Sequence, residues 1–109
     1  MADKLVVMVG SDFGRTPSYN SGNGKDHWSV TSVILMGAGI PGNKVIGASD
    51  ARHRPLKISP STLQPDENGL RIEPGHIHLA LRRLAGIEDS EPVRKLFPLI
   101  GTADLKLLG

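Results

Sequence analysis

The chain has 109 residues, of which 39% are apolar, 22% charged and 4% aromatic. This is the composition of one ordinary globular domain with a largely aliphatic core. It contains no cysteine, which excludes disulfide bonds, thiolate zinc sites and cysteine nucleophiles. The net charge is only +2 and the basic residues are scattered, so nucleic acid is not expected as a partner. No apolar run is long enough to predict a membrane span.

Two apolar runs separated by a polar loop dominate the first part of the chain. Residues 4–9 read KLVVMV and residues 30–36 read VTSVILM. Short runs of this kind predict buried strands, and continuously apolar strands are typical of a mixed or parallel sheet that helices cover on both faces. The Gly, Asn and Ser residues of 18–24 predict a mobile surface loop.

Residues 37–42 have the spacing G-x-G-x-x-G directly after the second apolar run. A dinucleotide site with this pattern requires a helix to begin inside it, so that the helix N-terminus meets the pyrophosphate. Pro41 and Gly42 favour a turn instead, and residues 43–47 predict a short strand. We therefore expect a hairpin here and no nucleotide cofactor.

The last part of the chain predicts two exposed strands followed by two helices. Residues 56–59 and 70–72 alternate like strands around the turn sequence DENG. A helix is predicted from Pro74, with Gly86 as its C-terminal cap. A second short helix follows Ser90, and the apolar residues expected to face inward from it are Val93, Leu96 and Phe97. The pattern as a whole predicts an α/β fold over residues 1–109, with a small mixed β-sheet and C-terminal helices.

Asp12 and His27 are the first candidates for chemistry, because each follows or precedes an apolar run at the polar loop. A carboxylate and an imidazole are ligand types for zinc, manganese or iron. A catalytic zinc takes about three protein ligands, so two residues leave an alternative open. In that alternative Asp12 caps a turn and His27 is an ordinary surface residue.

Two further charged residues accompany this pair. Arg15 could hold a phosphate or sulfate oxygen through its planar guanidinium; the alternative is a salt bridge to Asp12 or Asp26. Asp26 could orient His27 or bind a metal itself, or be a solvated loop acid. Trp28 is expected to anchor the core.

His76 and His78 are two positions apart on a predicted helix. Side chains at positions i and i+2 point to different sides of a helix. They are therefore not expected to chelate together, and His76 is predicted to cap the helix or to face solvent.

Three segments together resemble a known protein family. SDFGRTP at 11–17, GKDHW at 24–28 and SVILMGAGIPGNKVIGASD at 32–50 resemble a bacterial family of unknown function with the approximate pattern SEFGRTP…GRDHW…GGGI.GG.V.G.TD. That family is identified as a member of the alkaline phosphatase and sulfatase-like superfamily.

The resemblance implies a mixed sheet between helices and a site for one or two divalent metals, here zinc, manganese or calcium. The superfamily's acid after a strand and its later histidine match Asp12 and His27. Asp12 replaces the usual Glu, Phe13 stands where classical alkaline phosphatases have His, and His76 or His78 stands where the family tends to have an acid. The resemblance covers the C-terminal part of a larger domain.

The function expected from this resemblance is that of a C-terminal fragment of a metal-dependent phosphate- or sulfate-ester hydrolase-like protein, inactive alone and completed by an N-terminal half that carries the nucleophile. The alternative is a non-catalytic oligomerising or partner-binding module. The family's members are often exported, but no export signal precedes the first predicted strand, so no localisation is predicted.

Overall fold

The computed structural model describes residues 1–109 and divides them into two compact units. The N-terminal unit consists of Met1–Gly42 and Ala48–Pro55, and the C-terminal unit consists of Asn43–Gly47 and Leu56–Gly109. The predicted α/β class and the C-terminal position of the helices are confirmed. The sheet differs from the prediction, because it consists of two antiparallel pairs of strands and not of one mixed sheet.

Four short strands make up the regular structure of the N-terminal unit. They are β1 (Val6–Val9), β2 (Gly14–Arg15), β3 (His27–Trp28) and β4 (Ile34–Gly37), and the 3-10 helix Ala2–Lys4 precedes them. Strand β1 pairs antiparallel with β4, and β2 pairs antiparallel with β3.

The prediction that the first and last of these strands are buried is wrong. Val9 is 51% exposed and Ile34 is 59% exposed. An apolar sequence is sufficient for strand formation, but burial requires a second layer, and the N-terminal unit contains no α-helix that could cover the β1–β4 ribbon.

The segment after β4 forms the predicted turn, but not the predicted hairpin. Gly37 has φ +119° and its carbonyl accepts a hydrogen bond from the Ile40 N–H at 3.2 Å. A side chain at Gly37 would also collide with the Leu5 carbonyl, so glycine is required there both for its backbone conformation and for the close approach. No helix begins in this segment, and the strand predicted for residues 43–47 does not form.

The C-terminal unit is folded around Ile58, which has no solvent exposure. Ile58 exchanges two backbone hydrogen bonds of 2.8 Å with Leu70, so the two predicted strands are reduced to isolated bridges. The predicted turn forms, with the Gly69 N–H donating to the Asp66 carbonyl at 3.0 Å. The core of this unit is one cluster of buried apolar side chains: Ile58, Leu63, Ala80, Leu105 and Leu107.

Helix α1 (Pro74–Leu84) begins with a capping box. The Glu73 N–H donates to Nδ1 of His76 at 2.9 Å, and the Glu73 side chain accepts from the His76 backbone. His76 is 9% exposed, so its predicted capping role is confirmed. Gly86, just beyond the helix, has φ +70°, as expected for a C-terminal cap.

Helix α2 (Glu91–Leu96) follows Ser90 as predicted, but its apolar face is not buried. Leu96 is 69% exposed and Phe97 is 63% exposed, so the prediction that both face inward is wrong. The core receives Leu105 and Leu107 from the irregular C-terminal segment instead. Neither helix has the length and hydropathy needed to cross a bilayer.

Candidate functional site

The candidate site is built on the two-residue ladder between β2 and β3. Arg15 lies opposite His27, and Gly14 lies opposite Trp28. The ladder is extended by a hydrogen bond of 3.1 Å from the Thr16 N–H to the Asp26 carbonyl. A side chain at Gly14 would collide with the backbone of Val30, so glycine permits the chain to close here. The pairing places three of the four predicted site residues, Arg15, Asp26 and His27, at neighbouring positions.

The aromatic ring of Phe13 contacts two of these residues, His27 and Arg15. The His27 ring stacks on Phe13, with 3.8 Å between ring centroids and 19° between ring planes. The guanidinium carbon of Arg15 lies 4.9 Å from the Phe13 centroid, within the range of a cation–π interaction. Phe13 precedes Arg15 by two positions, and Arg15 is the cross-strand partner of His27, so all three side chains share one face of the ladder.

The loop between the two strands is closed by Asn20. Its side-chain oxygen accepts from the N–H groups of Gly22 and Gly24 at 3.0 Å each. Its side-chain nitrogen donates to Oδ1 of Asp26 at 2.9 Å. We predicted a mobile loop, but these bonds define a specific turn. The composition of the loop did not indicate this turn, because a single asparagine side chain makes all three hydrogen bonds.

Arg15 forms neither of the salt bridges considered for it. Its Nη1 donates to the Lys25 carbonyl at 2.8 Å, and no carboxylate lies within ion-pair distance. The side chain is exposed, and a guanidinium has five N–H donors. Most of its hydrogen-bonding capacity therefore faces solvent.

The two predicted site carboxylates, Asp12 and Asp26, differ in their hydrogen bonding. Asp12 is exposed and takes part in no hydrogen bond or ion pair; it adjoins Phe13 in sequence. The Asp26 carboxylate bonds to Asn20, and no hydrogen bond joins it to His27. The chain contains no group of three His, Cys, Asp or Glu side chains placed to hold a metal ion. The predicted ligands Asp12, Asp26 and His27 therefore do not form such a group by themselves.

A second loop of the N-terminal unit supports Trp28. The indole N–H donates to the His53 carbonyl at 2.7 Å, and the ring is half-buried. His53 has φ +56° and lies within a turn organised by Asp50. The pKa of Asp50 is lowered, first by a hydrogen bond from the Arg54 N–H and also by bonds from the Arg54 side chain and the Arg52 N–H. Sequence reasoning missed this role of Asp50.

The two helical histidines lie outside this site. His76 is buried in its capping contact, whereas His78 is exposed. They therefore have separate environments, as the spacing predicted.

The fold and the site define a small α/β protein with an exposed cluster of ring, guanidinium and carboxylate groups on a minimal ladder. Residues 1–63 match the family described as "Protein of unknown function (DUF1501)", and this match spans more than half of the 109 residues. The chain belongs to that family, which confirms the resemblance to a family of unknown function. No curated protein and no solved structure matches this chain.

Proposed function

We propose that this chain is part of a metal-dependent hydrolase-like protein that acts on phosphate or sulfate esters, as the resemblance to the alkaline phosphatase and sulfatase-like superfamily implies. The observation that carries the proposal is the β2–β3 ladder. It brings Arg15 opposite His27, with both side chains exposed, and the chain before Phe13 presents Asp12.

The residues at the ladder fit a divalent cation in chemical type. The Asp12 carboxylate takes part in no hydrogen bond or ion pair, and the His27 imidazole stacks on the face of Phe13. Oxygen and imidazole nitrogen suit zinc and manganese, and oxygen suits calcium. When bound, such an ion supplies Lewis-acid activation of the ester. Two ligands are fewer than the usual three, so further ligands and the nucleophile would come from another polypeptide segment.

The remaining residues of the site position these groups. The Phe13 ring restricts the rotamers of His27 and Arg15 by contact with both side chains. Asp26 fixes the loop before His27 through Asn20. The solvent-facing donors of Arg15 are suited to two oxygens of a phosphate or sulfate. In the completed enzyme Arg15 would therefore bind the anionic group of the ester.

The test is a thermal unfolding series with EDTA, zinc, manganese, calcium and magnesium. A metal that binds only the folded state at one hundred times its Kd raises the stability by about 2.7 kcal/mol. We expect one metal to raise the midpoint of the wild type and to have no effect on His27→Ala. His78→Ala is the matched control, because it removes an exposed histidine outside the site. A series in which no metal raises the midpoint, or in which both variants respond like the wild type, contradicts the proposal.

A second candidate function is that of a non-catalytic assembly module. The observation that favours it is the β1–β4 ribbon, whose side chains Met8 and Met36 are 53% and 47% exposed. Exposed apolar strands with open edges are interaction surfaces. This candidate predicts a mass that rises with protein concentration and does not depend on metal, which sedimentation velocity measures directly.

A further inference from the structure

The loop of the candidate site carries a second cation next to Arg15. Nη1 of Arg15 donates to the Lys25 carbonyl at 2.8 Å, so the guanidinium lies directly against residue 25. Nζ of Lys25 lies 5.1 Å from the centroid of the Tyr19 ring, just as the guanidinium carbon of Arg15 lies 4.9 Å from that of the Phe13 ring. Both distances are within the range of a cation–π interaction. Each cation is therefore held on an aromatic ring of its own.

Neither cation is neutralised within the chain. No carboxylate lies within ion-pair distance of Arg15 or Lys25. Asp26, the acid next to Lys25 in sequence, accepts a hydrogen bond from Asn20 instead. An aromatic ring attracts a cation but does not cancel its charge. Like charges on neighbouring side chains repel one another, so an anion bound between the two would be stabilised by both.

The two cations keep free donors for three oxygen atoms. Of the Arg15 nitrogens, only Nη1 forms a hydrogen bond. The N–H groups of Nε and Nη2 are therefore free, and they form a parallel pair that matches two oxygens of one anionic group. The Lys25 ammonium contacts the ring of Tyr19 and forms no hydrogen bond. It has three donors on a flexible stem, so it can donate to a third oxygen of the same group.

We propose that Lys25 is a second anion-binding residue of this site, and that Arg15 and Lys25 together bind the terminal group of a phosphate or sulfate monoester. Such a group has three non-bridging oxygens, whereas a diester has two, so only a monoester gives the guanidinium and the ammonium separate acceptors. Because Arg15 lies opposite His27, the bound group would be presented to the proposed metal ligand. The inference deepens the proposed hydrolase-like function and rests on it for the ester, but binding of the anion itself requires no metal.

Titration of the isotope-labelled chain with inorganic phosphate, followed by amide NMR spectra, tests the site directly. The titration is run in EDTA, and sodium chloride keeps the ionic strength constant, because salt screens exposed charges. We expect saturable shifts of the backbone amides of Lys25 and His27 and of the Arg15 Nε–H. Shifts that do not saturate, or that are spread evenly over the exposed cations of the chain, overturn the proposal.

Three substitutions separate specific binding from a general effect of charge. Arg15→Gln and Lys25→Gln should each raise the Kd for phosphate by roughly three- to tenfold, because each removes one charged donor from an exposed site. The matched control is Lys4→Gln, which removes an exposed cation of the same unit that forms no ion pair, and its Kd should equal that of the wild type. Equal effects of Lys25→Gln and Lys4→Gln overturn the assignment of Lys25.

The conservative variant Lys25→Arg tests whether Lys25 acts through its charge or only supports the loop. It retains a cation with free donors, so we expect its Kd to stay near the wild-type value. The far-ultraviolet circular dichroism of every variant should match that of the wild type. A Lys25→Arg variant that binds as weakly as Lys25→Gln overturns the role of the charge.

The ester class is tested with methyl sulfate and dimethyl phosphate. Both anions carry one negative charge, but methyl sulfate is a monoester and dimethyl phosphate is a diester. We expect Arg15→Gln to weaken the binding of both anions, and Lys25→Gln to weaken that of methyl sulfate more than that of dimethyl phosphate. Equal weakening of the two anions by Lys25→Gln overturns the monoester assignment.

The anion site and the metal proposal fail in different ways. Phosphate binding that depends on Arg15 and Lys25, together with a thermal series in which no metal raises the midpoint, supports the anion site and contradicts the metal-dependent function. A metal effect that His27→Ala removes, without saturable phosphate binding, overturns this inference alone.

Discussion

Replacing Ile58 by alanine should remove a large part of the stability of the C-terminal unit. Ile58 has no solvent exposure and belongs to the core with Leu63, Ala80, Leu105 and Leu107. The substitution deletes three buried carbons, which is about 2.4 kcal/mol at about 0.8 kcal/mol for each buried methylene. The cavity left behind adds to this loss, and buried Ile→Ala changes cost about 2–5 kcal/mol in total. We therefore expect a loss of about 3–4 kcal/mol.

The loss is large compared with what a chain of this size possesses. Domains have about 5–15 kcal/mol of unfolding free energy, and a core with only five buried apolar residues places this unit toward the lower end. Urea unfolding followed by circular dichroism measures the effect. With a slope of about 1.5 kcal/mol per molar urea, the midpoint should fall by roughly 2 M.

The matched control is Ile100→Ala, the same chemical change at a residue that is 92% exposed in the same unit. It should alter the unfolding free energy by less than about 0.5 kcal/mol. Equal losses for the two variants, or a loss below about 1 kcal/mol for Ile58→Ala, would refute the assignment of Ile58 to the centre of the core.

Two further predictions concern the N-terminal unit. Asn20→Ala removes three hydrogen bonds that close the loop before Asp26, each worth about 0.5–1.5 kcal/mol net. Because water replaces part of them at this exposed site, we expect urea unfolding to show a loss of about 1–2 kcal/mol of unfolding free energy. An unchanged midpoint would show that the loop does not contribute to stability. Hydrogen bonds from the Arg54 N–H, the Arg54 side chain and the Arg52 N–H lower the pKa of Asp50 from its ordinary value of 3.8. As the pH falls, the Asp50 carboxylate is therefore protonated in the unfolded chain before it is protonated in the folded chain. Its contribution to stability is fully present above pH 3.8 and is lost as the pH falls through the lower pKa of the folded state. Asp50→Asn should therefore lose less stability than the wild type on going from pH 5 to acid pH below about 4, and identical acid profiles would contradict this.

The two helices and their caps were predictable from short stretches of sequence. Pro74 at the start of α1 and Gly86 after its end act on the backbone within a few residues of themselves. Ser90 is the N-cap residue of α2 by position, although its side chain makes no capping hydrogen bond. The same holds for the turn at 66–69, which forms as its DENG sequence indicates. Such features depend on local hydrogen bonding and backbone sterics, and neighbouring residues suffice to specify them.

The candidate site was predictable in part. The polar positions Asp12, Arg15, Asp26 and His27 could be singled out by residue type and by their place between apolar runs. The stacking of His27 on Phe13 and the closure of the loop by Asn20 could not, because both depend on the register of β2 against β3. That register is set by contacts between residues about twelve positions apart.

Burial was decided only by the tertiary structure. The apolar sequences of β1 and β4 indicated buried strands, yet these strands are exposed, because a strand has no means of covering its own faces. The irregular C-terminal segment showed no regular pattern, yet Leu105 and Leu107 complete the core. The hydrophobicity of a side chain determines how much free energy its burial would contribute. Which side chains are buried depends on the path of distant parts of the chain.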